Sequence, residues 1–291
     1  FRSGAGAGAI GFGNSLGEHQ AEQVLVRGWN RHIRSLRADG SGRTDGMPTI
    51  TDVITTPDGT CPVTLATPDG TGPWPGVVMY PDAGGARPAF TEMAQRLADY
   101  GYAVLVPDVY YRDPGWAPFD MVSVFGDAAE RARLFGMISK VTPDIMAADA
   151  AAFFDYLAGR PEVRGESFGT TGYCMGGRTS LVVAGRVPER VAAAMSFHGG
   201  GLAADDPGSP HLLADKMRAA VYVGAAENDA SFTPEQAETL DGALTAAGVE
   251  HTIEFYAAAH GFAVPDNAPY DPAAAERHWA AMREVFGAKL T

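Results

Sequence analysis

The sequence lacks the features that define several protein classes. It has only two cysteines among 291 residues, Cys61 and Cys174, which excludes a small secreted fold held together by disulfides. It has no apolar run of about 18 residues, so it predicts no transmembrane helix. The apolar core of a signal peptide is also missing near its start, so we expect a cytoplasmic protein.

Positive charge is scarce, and it is distributed unevenly. Lys and Arg number 22 against 35 Asp and Glu, a net charge of −13, which argues against nucleic acid or an anionic membrane as a partner. Residues 1–46 hold six arginines, four acids and ten of the 36 glycines, so residues 47–291 carry the remaining charge of −15. We predict a flexible leader over 1–46, with an arm that covers a partner subunit as the alternative, and one domain over 47–291.

From residue 47 onward, strand-like and helix-like segments alternate. This rhythm predicts an α/β protein with a mostly parallel central sheet of about eight strands and helices on both faces. The β-rich runs are 50–55, 62–66, 76–80, 103–106, 167–171, 191–196, 220–224 and 251–256. The helical segments are 88–100, 142–157, 175–185, 234–247 and 272–286.

Residues 110–142 interrupt this alternation. The segment is rich in Pro, Gly and aromatic residues, which predicts a loop with one short helix. Because it follows the C-terminal end of a strand, it would lie over a site at that edge of the sheet as a lid. The alternative is ordinary surface packing.

The segment around Cys174 predicts a nucleophile. Gly172-Tyr173-Cys174-Met175-Gly176 fits the pattern of a sharp strand-to-helix turn with the reactive residue at its centre. Glycine on both sides removes the Cβ clashes of such a turn, and the N-terminus of the following helix favours a thiolate or an oxyanion. Cys61 lies beside a turn and has no such motif, so we expect a buried, inert thiol there.

A cysteine nucleophile needs a base and an acid that orients the base. In this fold class the order along the chain is nucleophile, acid, histidine. Asp229 follows the strand 220–224, with Glu227 as the alternative, and His260 follows the last strand. His198 also follows a strand and is a second candidate for the base or a wall of the pocket.

Acyl transfer also requires donors for the oxyanion. Met175, directly after the nucleophile, offers one backbone N–H. We expect the second from Ala83, in the loop after the third strand. The neighbouring pair Gly84-Gly85 is also compatible with the plain start of a helix, and both interpretations can hold.

These motifs together resemble the dienelactone hydrolase family of α/β-hydrolases over residues 50–288. The likeness rests on the Gly-Tyr-Cys-Met-Gly-Gly turn, on Asp229 and on two further stretches, residues 107–112 and 259–262. The resemblance implies a Cys174–Asp229–His260 triad that hydrolyses esters or lactones without a cofactor or metal. It also implies an acid that contacts the resting thiol, and Asp82 occupies that position in place of the family's usual Glu.

Two departures from the family bear on the substrate. The resemblance implies a pair of arginines that hold a substrate carboxylate, and Arg112, next to Tyr111, matches the first. Val264 stands at the second, and Gly261 replaces the family's usual Ser. Losing one charge-assisted contact costs about 1.5–3 kcal/mol. A less charged ester or lactone is therefore at least as good a candidate as an anionic lactone.

The expected partner is a small-molecule ester or lactone, and the protein is expected to be a monomer or a homodimer. A hydrolase of non-carboxylic esters such as phosphotriesters is the alternative enzyme. A non-catalytic, thiol-sensing protein on the same fold is the alternative from another class.

Overall fold

The computed structural model describes residues 49–290, which form an eight-stranded sheet with six α-helices in that range. The strands are β1 (Thr49–Thr56), β2 (Gly59–Ala66), β3 (Trp74–Tyr80), β4 (Ala103–Pro107), β5 (Val163–Tyr173), β6 (Val191–Phe197), β7 (Ala220–Ala226) and β8 (His251–Tyr256). The helices are α1 (Pro88–Ala98), α2 (Ala128–Ile138), α3 (Pro143–Ala158), α4 (Met175–Arg186), α5 (Pro234–Ala246) and α6 (Pro272–Lys289). Short 3-10 helices lie at Pro188–Arg190 and Pro210–Lys216.

The sheet is antiparallel at one edge and parallel elsewhere. Its order is β1-β2-β4-β3-β5-β6-β7-β8, with antiparallel pairing only for β1 with β2 and β2 with β4. The six parallel strands therefore end along one edge of the sheet. The segments that follow these strands are brought together there, at the edge where open α/β sheets bind ligands.

Helices cover both faces of the sheet, and each face has its own apolar core. Alternate residues of β4 serve the two sides, with Leu105 in one cluster and Val104 in the other. Phe153 and Phe154 of α3 and the aliphatic residues of α4 and α5 pack on the first face. α1 and α6 cover the second, for example through Phe90 and Trp279. The α/β fold class and its mostly parallel sheet are thus confirmed.

The helix starts follow from local chemistry. Thr142 caps α3 by accepting a hydrogen bond from the N–H of Ile145, and a proline occupies the first turn. Thr233 caps α5 in the same way through the N–H of Gln236. Such caps satisfy backbone donors that the first helical turn leaves open. β5 begins earlier than predicted, at Val163, which pairs with Trp74 of β3.

Residues 110–142 form turns followed by α2, which Asp127 caps with its carboxylate. Four buried apolar side chains of this insertion pack against Ala83 and Met175: those of Phe119, Val124, Leu134 and Met137. The insertion thus lies next to residues that neighbour Cys174 and the loop after β3, while its role as a lid stays a prediction. The predictions for residues 1–46 lie outside the described residues. Between residues 49 and 290, no helix has the length and apolar character needed to cross a bilayer.

Candidate active site

Cys174 sits in a strained turn between β5 and α4. Its φ of 54° and ψ of −115° lie outside the usual regions for a residue with a side chain, and such a conformation costs about 1–3 kcal/mol. The turn is possible because its neighbours are glycines. A Cβ at Gly172 would lie 2.0 Å from the carbonyl oxygen of Gly176, and one at Gly176 would lie 2.3 Å from that of Tyr80. Tight backbone packing thus holds the thiol at the sheet edge.

Histidine and aspartate meet beside this thiol. His260 Nδ1 lies 2.6 Å from Asp229 Oδ2, and Cys174 lies near enough to His260 to affect its pKa. The carboxylate of Asp229 is buried and is further held by the hydroxyl and N–H of Ser231, at 2.6 and 2.8 Å. Glu227, the alternative acid, is exposed. The structure therefore brings together the three residues whose order along the chain suggested a triad.

The hydrogen bonds and charges of this group shift the pKa values of His260 and Asp229. Burial by itself would lower the pKa of His260, but hydrogen bonds with Asp229 and Cys174 and their negative charges raise it to about 10. Burial would raise the pKa of Asp229, but the hydrogen bonds from His260 and Ser231 hold it below its ordinary value. An imidazolium next to the thiol favours a thiolate, the reactive form of cysteine.

The two predicted oxyanion donors are held together by one tyrosine. Met175 is the first residue of α4, so its N–H has no carbonyl one turn earlier in the helix to bind. The hydroxyl of Tyr110 lies 3.0 Å from the carbonyl oxygen of Ala83 and 3.5 Å from Met175 Sδ. Burial raises the pKa of Tyr110, so the hydroxyl stays protonated and able to donate. Tyr110 thus joins the loop after β3 to the side chain of the first residue of α4.

An open cavity of about 650 Å³ adjoins the His–Asp pair. It is lined by residues 227–230 and 257–260, which include Glu227 and four alanines. His198 is buried with its ring centre 5.2 Å from that of His260. Burial first, and then the charge of His260, lowers the pKa of His198 well below the ordinary value, so His198 forms a neutral wall.

Among residues 49–290, no cluster of three or more His, Cys, Asp or Glu side chains could hold a metal ion.

Comparison with known proteins agrees with this geometry. The model of the dienelactone hydrolase family matches residues 61–290. The chain belongs to the dienelactone hydrolase family. This family membership makes the protein a hydrolase of carboxylic esters or lactones, and it confirms the resemblance inferred from the motifs.

Individual relatives show the same likeness. A carboxymethylenebutenolidase of Rhodococcus opacus is 29% identical over 244 residues, which cover 80% of this chain and 89% of the relative. A solved structure from metagenomic libraries, a dienelactone hydrolase-like promiscuous phosphotriesterase, is 26% identical with a TM-score of 0.69 and is covered over its full length, against 85% of this chain. A dienelactone hydrolase from Anabaena variabilis shares the fold at 17% identity, with a TM-score of 0.61 and coverage of 85% of this chain and 100% of that one.

Asp82, at the position of the family's thiol-contacting acid, is hydrogen-bonded to other groups in this chain. Its carboxylate accepts hydrogen bonds from Arg87 Nη1 and Nη2 at 2.6 and 3.0 Å, from Asn267 Nδ2 at 3.1 Å and from the N–H of Gly84 at 2.9 Å. A carboxylate has about four acceptor positions, and these four donors fill them. The structure therefore does not bring Asp82 to the thiol as the resemblance implied.

Arg112 and Tyr111, the expected substrate-binding pair, are also already engaged. Arg112 forms a bidentate ion pair with Asp149, both contacts at 2.7 Å, and further contacts with Asp58 at 2.8 and 3.0 Å. The hydroxyl of Tyr111 lies 2.5 Å from that of Thr56 and 3.0 Å from Asp149. Both acids are part of the fold and compete with any substrate carboxylate for Arg112, so its role in substrate binding stays a prediction.

The second departure from the family also has a structural reason. Val264 is fully buried in the core beneath α6. Gly261 has a φ of +97°, a conformation that favours glycine, and a Cβ there would lie 3.0 Å from Pro269.

Cys61 is fully buried, and burial raises the pKa of its thiol. Arg87, Tyr110 and Asp149 were given no role of their own from the sequence, because each has at least one partner that is 27 or more positions away along the chain.

Proposed function

We propose that this protein hydrolyses uncharged carboxylic esters or lactones, with Cys174 as the nucleophile and a thioester as the intermediate. The observation that carries the proposal is the 2.6 Å hydrogen bond between His260 and Asp229 beside Cys174, which lies in the strained turn. The same geometry places a thiol and a histidine side by side, as covalent catalysis requires.

The proposed reaction has two halves. The thiolate of Cys174 attacks the carbonyl carbon, and the N–H groups of Ala83 and Met175 stabilise the oxyanion. The C–O bond then breaks, and the imidazolium of His260 gives its proton to the leaving alcohol. In the second half neutral His260 takes a proton from water, hydroxide attacks the thioester, and the thiolate and imidazolium are restored.

Three observations favour a substrate without negative charge. Arg112 is paired with two acids, and Val264 stands where the family's second arginine would be. Glu227 lines the cavity beside His260. The side chains of residues 110–142 that pack on Ala83 and Met175 are apolar, which suits an uncharged acyl group.

Replacing the nucleophile tests the proposal. We expect Cys174→Ala to reduce hydrolysis of p-nitrophenyl acetate by about 10⁴-fold or more, as loss of a triad nucleophile does. Mass spectrometry of the quenched wild-type enzyme should show one acetyl group on Cys174. The matched control is Cys61→Ala, which removes the other thiol and should retain activity. Full activity of Cys174→Ala would disprove the scheme.

A phosphotriester hydrolase is the second candidate, favoured by the solved relative with that activity. The same mass measurement separates the two. After incubation with a p-nitrophenyl dialkyl phosphate, a dialkylphosphoryl group on Cys174 that turns over would support the second candidate. Turnover of the acetyl adduct alone would support the first.

A further inference from the structure

Arg87 connects two loops of the active site through a buried ion-pair network. Its side chain is 4% exposed and lies at the start of α1, after the oxyanion loop, which we define as residues 82–85. On one side it holds both carboxylate oxygens of Asp82, which immediately precedes Ala83. On the other it holds both carboxylate oxygens of Asp266, at 2.7 and 2.8 Å.

Asp266 belongs to the histidine loop, which we define as residues 260–271. Asn267, the next residue, donates to Asp82 at 3.1 Å and accepts from Arg87 at 3.3 Å. Asn267 also packs against Gly261, directly after His260, within 3.3 Å of the position of a Cβ there. The network therefore reaches from the backbone of Ala83 to the backbone beside His260.

The network also determines what Asp82 can do. Its four acceptor positions are filled by four donors, two of them from Arg87. A thiol donating to this carboxylate would have to displace one of them inside a buried site, where an unpaired donor is costly. The carboxylate of Asp82 therefore has no free acceptor position for the thiol.

We propose that Arg87 is a positioning residue of the active site: it keeps Asp82 away from the thiol and fixes the oxyanion loop against the histidine loop. Cys174 is consequently left to His260 alone, which acts as base and acid in the proposed reaction. This inference rests on the proposed function for the identity of the nucleophile. Arg87 itself touches no reacting atom and acts through Asp82, Asp266 and Asn267.

The test uses a carboxylate-to-amide change at the accessible end of the network. Asp266→Asn removes the negative charge facing Arg87, and its side chain is 44% exposed, so the fold should tolerate the change. The matched control is Glu276→Gln, because Glu276 pairs with Arg96 of the same helix α1, on the exposed surface. Arg87→Lys keeps the charge but loses the planar, forked donors and serves as a second variant.

We expect Asp266→Asn and Arg87→Lys to lower kcat for p-nitrophenyl acetate by about tenfold with KM within about twofold, since small displacements of catalytic groups act mainly on the reacting geometry. Alkylation of Cys174 by iodoacetamide at neutral pH should slow by a similar factor. The proton of His260, followed by NMR of its ring, should be lost at lower pH than in the wild type, because its contact with the thiolate is weakened. Glu276→Gln should match the wild type in all three measurements.

Two results would overturn the proposal. One is a lower melting temperature of Asp266→Asn with unchanged kcat, alkylation and His260 titration, which is what a purely structural ion pair gives. The other is a lower kcat with an unmoved His260 titration, since the loss would then lie outside the thiol–imidazole pair. If the wild-type protein hydrolyses no ester, the proposed function fails, yet alkylation and titration still test the role of Arg87.

Discussion

At the scale of single residues, the arrangement around Cys174 depends on side chains that do not touch a substrate. Tyr110 reaches both predicted oxyanion donors with one hydroxyl, and its ring is held at 5.1 Å from that of Trp116. Trp116 in turn donates to Asp108 at 2.9 Å. The position of the Ala83 backbone therefore depends on a short chain of buried contacts from the insertion 110–142.

Removing the Tyr110 hydroxyl tests this dependence. We expect Tyr110→Phe to reduce kcat by about 3- to 30-fold with little change in KM, less than the 10²- to 10³-fold loss from deleting an oxyanion donor itself. The steady-state kinetics of ester hydrolysis give both parameters. Tyr156→Phe is the control. It also removes a tyrosine hydroxyl that donates a hydrogen bond, in this case from α3 to the carboxylate of Asp52. Equal kinetics for Tyr110→Phe and the wild type would exclude a role for the hydroxyl.

At the scale of elements, the crossing of β5, α4 and the end of β3 requires glycine. A Cβ on Gly176 would approach the carbonyl oxygens of Tyr80 and Pro81 to 2.3 and 2.4 Å. Because these contacts are with backbone atoms, an alanine at Gly176 would fit only if the end of β3 and the oxyanion loop moved. Gly242 is on the exposed side of α5, and apart from its own turn of helix no described residue has an atom within 4 Å of the point where a Cβ would lie.

Alanine at Gly176 and alanine at Gly242 should change the free energy of unfolding in opposite directions. Gly176→Ala should lower the free energy of unfolding by about 1–3 kcal/mol or more, through overpacking, and should reduce kcat as the oxyanion loop shifts. Gly242→Ala should raise it by about 0.5–1 kcal/mol, because alanine loses less backbone entropy in a helix. Urea denaturation measures both. A stable, fully active Gly176→Ala would contradict the close packing of this turn.

At the scale of the whole molecule, the net charge of −13 acts on every charged substrate. The two arginines discussed above do little to oppose this field, since Arg112 and Arg87 are each paired with two acids. A negative substrate is therefore repelled during its approach, while an uncharged one is unaffected.

The ionic-strength dependence of kcat/KM reveals this field. Raising the salt concentration from about 0.01 M to about 0.15 M shortens the Debye length from about 30 Å to about 8 Å. We expect kcat/KM for an ester with a carboxylate group to rise several-fold over this range, and that for its uncharged methyl-ester analogue to stay constant. A fall for the anionic ester would instead indicate a local cation that attracts it.

Much of the fold could be predicted because its signals are local. The alternation of strands and helices, the Thr142 and Thr233 caps and the glycines around Cys174 each involve residues only a few positions apart. The order Cys174, Asp229, His260 follows from where parallel strands end. The surroundings of Asp82 could not all be predicted this way, because Arg87 is close in sequence but Asn267 is 185 positions further along the chain than Asp82.

Periodicity, glycine spacing and strand ends are local properties, so the amino-acid sequence alone was enough to predict the fold class, the sharp turn at Cys174 and the candidates for a triad. The folded chain was needed to show which acids and arginines are already paired. Asp82 accepts hydrogen bonds from Arg87 and Asn267, and Arg112 is held by Asp149 and Asp58. Ion pairs and hydrogen bonds depend on distance in space, and apart from the pair of Asp82 with Arg87 these contacts join segments that are far apart along the chain.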